Sequence, residues 1–486
     1  MRIAIICVVH VLISLYYLHF AWSDPHELFT PDSSGYHQLA VNIISHNEFS
    51  LSDKAPFVPD FFRTPTYPLF LAACYAIFGQ TPYVPVAIQI VLNVITILVV
   101  YRIAQILFSP VAAYWSSALL ALSGVFTLHA RYLLTETLFT FLLAVVMYLL
   151  IRLIYSDGHT ERRLCKNWGM PVCIGLILGV MTLCRPNGFY FTFLVCIAIL
   201  LLVQRVDLYT RLQNAAIIAL VFLFAISPWA IRNWHHQGAL KLDTNQSYVL
   251  YFVTVGSMEA RENDISLQEA VAKRKAEEAG IEELSALELS SRRQKAAVAA
   301  ILDKPMRFAE VFLFGLAVTL TPISPKAMAL YIDGGELSAS SAAQVGVAFQ
   351  GGKGFVSAIA QNISGFRGSI WLSSIFFAIV DLAKYGLCIL AFVLYSVNDR
   401  KETLFLLGAV VIYFLLITGP MGPEATFRYR TPIEPYMSLL AGSGVAYWLR
   451  DNRGIRDKRL WVALAGFLVF GAALGGARLF LSISMV

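Results

Sequence analysis

An acid and a base stand at the two ends of one polar stretch. Asp32 lies in Pro31-Asp32-Ser33-Ser34-Gly35-Tyr36, and Arg63 lies in Arg63-Thr64-Pro65-Thr66-Tyr67-Pro68. A carboxylate so placed can take the proton of an attacking hydroxyl. A guanidinium can hold a phosphate through its planar fork. More charges stand at the borders of apolar runs: Glu136 in Thr135-Glu136-Thr137, Arg185 in Cys184-Arg185-Pro186-Asn187-Gly188, and the pair Arg428 and Arg430 in Phe427-Arg428-Tyr429-Arg430-Thr431-Pro432. Tyr36, Tyr67, Arg131 and Arg232 accompany them as secondary candidates. This set could activate a hydroxyl beside an anionic group.

Each residue also has a structural reading. Asp32 follows a proline where a helix starts, a position that suits an N-cap. Glu136 opens an apolar helix, where the macrodipole favours an acid, and Arg131 is its nearest candidate partner. Tyr67 and Trp22 suit interfacial anchors. Arg185 is harder to explain by structure alone, because an unpaired guanidinium among apolar residues is costly. It must meet a carboxylate, Asp32 or Glu136, or receive an anion. Arg428 and Arg430 could instead touch lipid headgroups. His26, His37 and His46 share the stretch with Asp32, but their spacing matches no strong metal pattern. No metal ligand set is therefore assigned.

The elements that position these residues are built for lipid. The chain has 486 residues, of which 58% are hydrophobic and 14% charged. A soluble protein carries about 25% charged residues. Mean hydropathy is +0.66. The apolar runs far exceed the strands of a barrel, so the class is all-α, a polytopic helical membrane protein. The net charge of +6 is that of basic cytoplasmic loops rather than of nucleic-acid binding. The seven cysteines show no Cys-x-x-Cys and no disulfide framework.

The run from 3 to 22 reads as a first crossing. Ala21-Trp22-Ser23 has a small-x-small cleavage pattern, but the length of the run favours a retained helix. A polar loop over 23–66 follows, then a short apolar stretch over 67–79 that suits an interfacial or re-entrant helix. Crossings are expected over 84–107, 111–130 and 137–155, a hairpin over 170–204 with Arg185 at its tip, and a crossing over 214–231. Residues 232–306 read as an external amphipathic helical region. The C-terminal part, 307–486, carries further crossings, external loops over 333–368 and 419–434, a polar turn at 398–402 and a last span over 460–483. The partition is thus a catalytic membrane module over 1–231, the helical region over 232–306 and a second membrane region over 307–486, with about 10 to 12 spans in all. The loop around Arg162, Arg163 and Lys166, and that from Arg450 to Arg459, are basic and fall inside. The same parity puts Asp32, Glu136, Arg185 and Arg428 on one outer side.

In their order, these motifs resemble the C-type (GT-C) membrane glycosyltransferases. The branch is the family 39-like one that holds protein O-mannosyltransferases and lipid A aminoarabinose transferases. The resemblance rests on Pro31-Asp32-Ser33-Ser34-Gly35-Tyr36, Arg63-Thr64-Pro65-Thr66-Tyr67-Pro68-Leu69-Phe70, Thr135-Glu136, Arg185-Pro186, Pro228-Trp229-x-x-Arg232-Asn233 and Arg428-Tyr429-Arg430-x-Pro432. It covers most of 1–235 and about 403–450. It implies a GT-C fold with external juxtamembrane helices and transfer of a sugar from a polyprenyl-phosphate donor to a glycan, lipid or protein acceptor. It also implies inversion, and a site on the outer side of the cytoplasmic membrane, facing the periplasm or cell exterior. It maps catalytic acids onto Asp32 and Glu136 and donor phosphate binding onto Arg63, and Arg185 or the Arg428/Arg430 pair is expected to help Arg63 hold that phosphate. No cofactor is firmly implied; relatives differ in their need for a divalent metal. Membrane lipids are the expected surroundings. Two departures stand out. Ser33 replaces the second of two consecutive acids, and the large soluble C-terminal domain of some relatives is missing. The competing classes are a polytopic transporter or flippase of lipid-linked glycans and an O-antigen-type polymerase or ligase.

Overall fold

A computed structural model describes residues 2–22, 24–155, 168–204, 206–279, 284–322, 368–395, 401–424, 426–450 and 462–471. The basic loops around Arg162 and Arg456, the turn at 398–402 in its first three residues, almost all of the loop over 333–368, and most of the last span over 460–483 lie outside the described residues.

The all-α polytopic class stands. Six helices are long and apolar enough to cross a membrane: Arg2–Phe20, Tyr83–Leu107, Thr135–Tyr155, Leu208–Gln237, Leu372–Leu394 and Lys401–Gly422. Shorter apolar helices are Thr66–Phe78, Gly169–Cys184, Gly188–Leu202 and Val462–Gly471. The expected 10 to 12 spans therefore contrast with six helices of full spanning length among the described residues.

The first helix, α1 (Arg2–Phe20), packs on α5 (Pro110–Ala121). Its buried His10 meets the Ala121 carbonyl at 3.3 Å. After it come α2 (Pro31–His46), α3 (Thr66–Phe78) and α4 (Tyr83–Leu107). The crossing expected over 111–130 is broken into α5 and the short α6 (Gly124–His129). The break occurs because the Ser123 side chain accepts the Phe126 N–H and starts a new helix. Next are α7 (Thr135–Tyr155), α8 (Gly169–Cys184), α9 (Gly188–Leu202) and α10 (Leu208–Gln237). The region over 232–306 holds α11 (Asn245–Tyr248), a π-helical turn (Val249–Val255), α12 (Gly256–Asn263), α13 (Leu267–Glu278) and α14 (Ala286–Asp303). Both α13 and α14 start with a capping box, Ser266 with Glu269 and Ser285 with Glu288.

The last described helices are α15 (Pro305–Leu320), α16 (Gly368–Tyr395), α17 (Lys401–Thr418) and α18 (Glu434–Arg450). Between α17 and α18 runs a 3-10 helix, Phe427–Ile433, that carries Arg428 and Arg430. The main core joins α1 to α10 with α16, α17 and α18. At the α5–α18 contact, a Cβ on Gly442 would meet the Ser116 backbone nitrogen at 2.4 Å. The two helices can approach that closely only because position 442 has no side chain.

Candidate active site

Local chemistry explains where each charged residue stands. Thr30, not Asp32, caps α2: its hydroxyl accepts the Ser33 N–H at 3.4 Å, and Pro31 occupies the first turn. The N-cap reading of Asp32 is therefore corrected, and the Asp32 side chain, 41% exposed, is left to pair with Arg63 and Arg428. Arg63 ends the loop that follows α2. That loop is tied down by Asn42, whose amide donates to the carbonyls of Ser50 and Ser52 at 2.6 and 3.0 Å. Asp60 then accepts the Arg63 N–H at 2.9 Å. The hydroxyls of Thr64 and Thr66 donate to carbonyls of Cys184 and Val180, at 3.3 and 3.1 Å. The loop end is thereby fastened to the end of α8, where Arg185 follows. Arg185 precedes Pro186, which disfavours helical backbone. Its φ of −144° and ψ of 122° end α8 and turn the side chain aside.

Five of the residues singled out in the sequence meet. Asp32 is paired with Arg428 at 2.7 Å and with Arg63 at 3.4 Å. Glu136 Oε1 is paired with Arg428 at 2.8 Å and with Arg185 at 2.9 Å. Arg428 thus bridges the two carboxylates. Three guanidinium groups face two carboxylates, so these five side chains carry one positive charge in excess. The chain runs from a sealed end to an open one: Glu136 is 0% exposed, Arg428 20% and Asp32 41%. The Arg428 guanidinium, helped by Arg63 and Arg185, holds the Asp32 carboxyl below its ordinary range against the opposing effect of burial. An ionised carboxylate at the open edge of a cationic cluster can accept a proton beside a bound anion.

Aromatic rings frame the cluster. The Arg63 guanidinium lies 4.7 Å over the Tyr36 ring. Tyr36 stands edge-on to Tyr67, at 5.1 Å. Tyr429, which sequence reasoning had not singled out, sits 5.5 Å from Arg185 and 5.3 Å from Arg428. Gly35 was also missed. A Cβ there would lie 2.5 Å from Arg63 Nη1, so the guanidinium rests directly on the α2 backbone.

The other candidates have different partners. Arg131 pairs with Glu27 at 3.1 Å, not with Glu136, because the backbone after α6 turns it toward the Pro25–Leu28 turn. It ties the first loop to the segment before α7. Tyr67 is fully buried and donates to Gln89 at 2.8 Å. It is a tie between α3 and α4 rather than an interfacial anchor. Trp22 remains 70% exposed. Arg232 donates to the Asp60 carbonyl at 2.9 Å and lies among Trp229, Phe61 and Phe49, at 4.6, 4.8 and 5.5 Å. It fastens α10 to the loop that carries Arg63. Arg430 does not join the cluster. A 3-10 helix advances about a third of a turn per residue, so Arg428 and Arg430 point different ways. Arg430 is 0% exposed and held by Glu434 at 2.6 Å and by Asp381. The expectation that Arg430 helps to hold a phosphate is corrected on that ground. Among the described residues no group of three or more His, Cys, Asp or Glu side chains gathers as a metal site. His37 instead meets the Tyr75 hydroxyl at 2.9 Å, and His46 stacks on Phe57 at 4.5 Å.

Residues 62–231 match the family described as dolichyl-phosphate-mannose-protein mannosyltransferase. The matched stretch includes Arg63, Glu136 and Arg185, whereas Asp32, Arg428 and Arg430 lie outside it. The oligosaccharyltransferase AglB of Archaeoglobus fulgidus, solved with an inhibitory peptide and a dolichol-phosphate, is similar in structure. It has 16% identity, a TM-score of 0.47, and coverage of 98% of this chain and 55% of that one. ArnT from Cupriavidus metallidurans bound to undecaprenyl phosphate is 13% identical with a TM-score of 0.38; 91% of this chain and 78% of that one are covered. The chain spans about half the length of the archaeal enzyme. No curated protein sequence matches.

Proposed function

We propose that this chain, which over residues 62–231 is similar to the dolichyl-phosphate-mannose-protein mannosyltransferase family, is a membrane glycosyltransferase. It moves a sugar from a polyprenyl-phosphate donor to an acceptor hydroxyl or phosphate on the outer side of the cytoplasmic membrane, facing the periplasm or cell exterior. The observation that carries this reading is the bridge of Asp32 and Glu136 by Arg428, with Arg63 and Arg185 on its flanks.

The roles divide by exposure. Asp32 lies at the open edge and acts as general base toward an acceptor hydroxyl. Glu136 is sealed from solvent and cannot meet an incoming hydroxyl. Its carboxylate orients Arg185 and Arg428. Arg63 and Arg428 hold the donor phosphate, with Arg185 behind them. The acceptor oxygen forms its bond to the anomeric carbon as its proton passes to Asp32. The bond from that carbon to the phosphate oxygen breaks on the opposite face, giving inversion. The electron pair stays on the polyprenyl phosphate, whose new charge the guanidinium groups stabilise. Before the donor arrives, Asp32 shares Arg428 and Arg63; the incoming phosphate competes for the same N–H groups and frees the carboxylate.

The test uses the full chain in proteoliposomes with a radiolabelled polyprenyl-phosphate sugar and membrane extracts as acceptor. Label in a new glycosidic bond, lost in Asp32→Asn, is the expected result. Label that crosses the bilayer with its lipid linkage intact would replace this reading by the transporter.

A further inference from the structure

Two residues beyond Arg428, a second charged cluster lies wholly inside the protein. Arg430 is paired with Glu434 at 2.6 Å and with Asp381. Lys384 is paired with Asp381 at 3.1 Å and with Glu434. All four side chains are at most 2% exposed. Two cations meet two anions, so the cluster is neutral. Asp381 and Lys384 come from the middle of the spanning helix Leu372–Leu394. A buried ion cluster is a costly way to hold two helices together, since apolar side chains of similar volume do as well or better. What it offers is a fixed geometry.

That geometry reaches the active site by two routes. The first is the 3-10 helix itself: Arg430 and Arg428 are on the same short element, and the Thr431 hydroxyl donates to the Arg428 carbonyl at 2.7 Å. The second runs through α6. The Ser123 hydroxyl donates to Glu434 at 2.8 Å, and Ser123 also caps α6. The last residue of α6, His129, meets Thr431 at 2.9 Å. The routes converge on Thr431, which meets His129 and donates to the Arg428 carbonyl.

We propose that Asp381, Lys384, Arg430 and Glu434 are positioning residues that aim Arg428 at the donor phosphate. The inference rests on the glycosyltransferase reading. The cluster touches neither substrate, so it acts only through the placement of Arg428. Misplacement of a binding group by about 1 Å can lower rate about 100-fold.

The experiment is a double-mutant cycle on the purified full chain. Arg430→Lys keeps the charge and removes the planar fork. It is measured in the native background and in an Arg428→Lys background, with kcat and donor KM recorded separately. The paired change Asp381→Asn with Lys384→Gln, which keeps the buried charge balanced, serves as a second perturbation. The expected result is a loss of about 10- to 100-fold in kcat/KM in the native background. In the Arg428→Lys background the same changes have little further effect, because the group they aim is already altered. Equal losses in both backgrounds would overturn the positioning role while leaving the glycosyltransferase reading intact. A native protein that transfers no sugar overturns both.

Discussion

Gly35→Ala separates function from folding more sharply than any change to a charged residue. Position 35 lies within α2, and its φ is not among the positive ones. Alanine there should therefore raise helix stability, by about 0.5–1 kcal/mol at most. The new Cβ would stand 2.5 Å from Arg63 Nη1, 2.6 Å from Cζ and 2.8 Å from Nη2. Ordinary contact begins near 3.4 Å, so the guanidinium must retreat by roughly 1 Å. It has little room to turn, being stacked on Tyr36 and hydrogen-bonded to the Asp32 carbonyl at 3.2 Å. Its 3.4 Å pairing with the Asp32 carboxylate is already long and would be lost. A displacement of that size at a phosphate-holding group lowers rate about 100-fold. The assay is sugar transfer from a polyprenyl-phosphate donor at saturating acceptor, beside thermal unfolding of the same preparation. An unfolding temperature at or slightly above the native one, with transfer down about 100-fold, is expected. Unchanged transfer would refute the role given to Arg63, and an equal loss of folding would refute the local reasoning.

Asp32→Asn should lower transfer about 10²- to 10⁴-fold at normal membrane abundance, whereas Thr30→Ala, which removes the actual cap, should cost about 1 kcal/mol of stability and leave most activity. Because Arg428 holds the Asp32 carboxyl low, the base stays ionised well into acid. Activity is present above the folded value and lost only as pH falls through it, below the ordinary Asp value of about 3.9. Arg428→Gln, measured as kcat/KM against pH so that the donor-free enzyme is reported, should move that acid limb upward; a limb that stays in place would remove Asp32 as the titrating group. Glu136→Gln should act on folding as well as rate. It leaves Arg185 and Arg428 without their shared buried anion, at a cost of about 3 kcal/mol, seen as lower abundance in the membrane.

The long apolar runs made the helical membrane class legible, since lipid admits only helices or closed barrels and the runs are too long for barrel strands. The need of Arg185 for a carboxylate was legible for the same reason, and the structure supplies Glu136. Which acid it would meet was not readable, because Asp32 and Glu136 lie far from it in the chain and are brought near the end of α8 by long-range ties, those of Thr64 and Thr66 from the loop side and of Cys184 to Thr135 from the α7 side. Arg428 and Arg430 look alike in the sequence. The 3-10 twist separates them, and nothing in residue type announces it. A signal for the second cluster was present in Asp381 and Lys384, an acid and a base three residues apart within an apolar run. Such a pair at helical spacing in a span implies a buried partner. Arg131 shows the opposite limit: the nearby Glu136 was the obvious mate, yet the distant Glu27 is the one it meets.

The most direct measurement is a structure of the full chain with a polyprenyl phosphate bound. The phosphate is expected within hydrogen-bond reach of Arg63 and Arg428, with the Asp32 carboxylate released beside it. A phosphate seated elsewhere, with Asp32 still bridged to Arg428, would contradict the roles given to these residues.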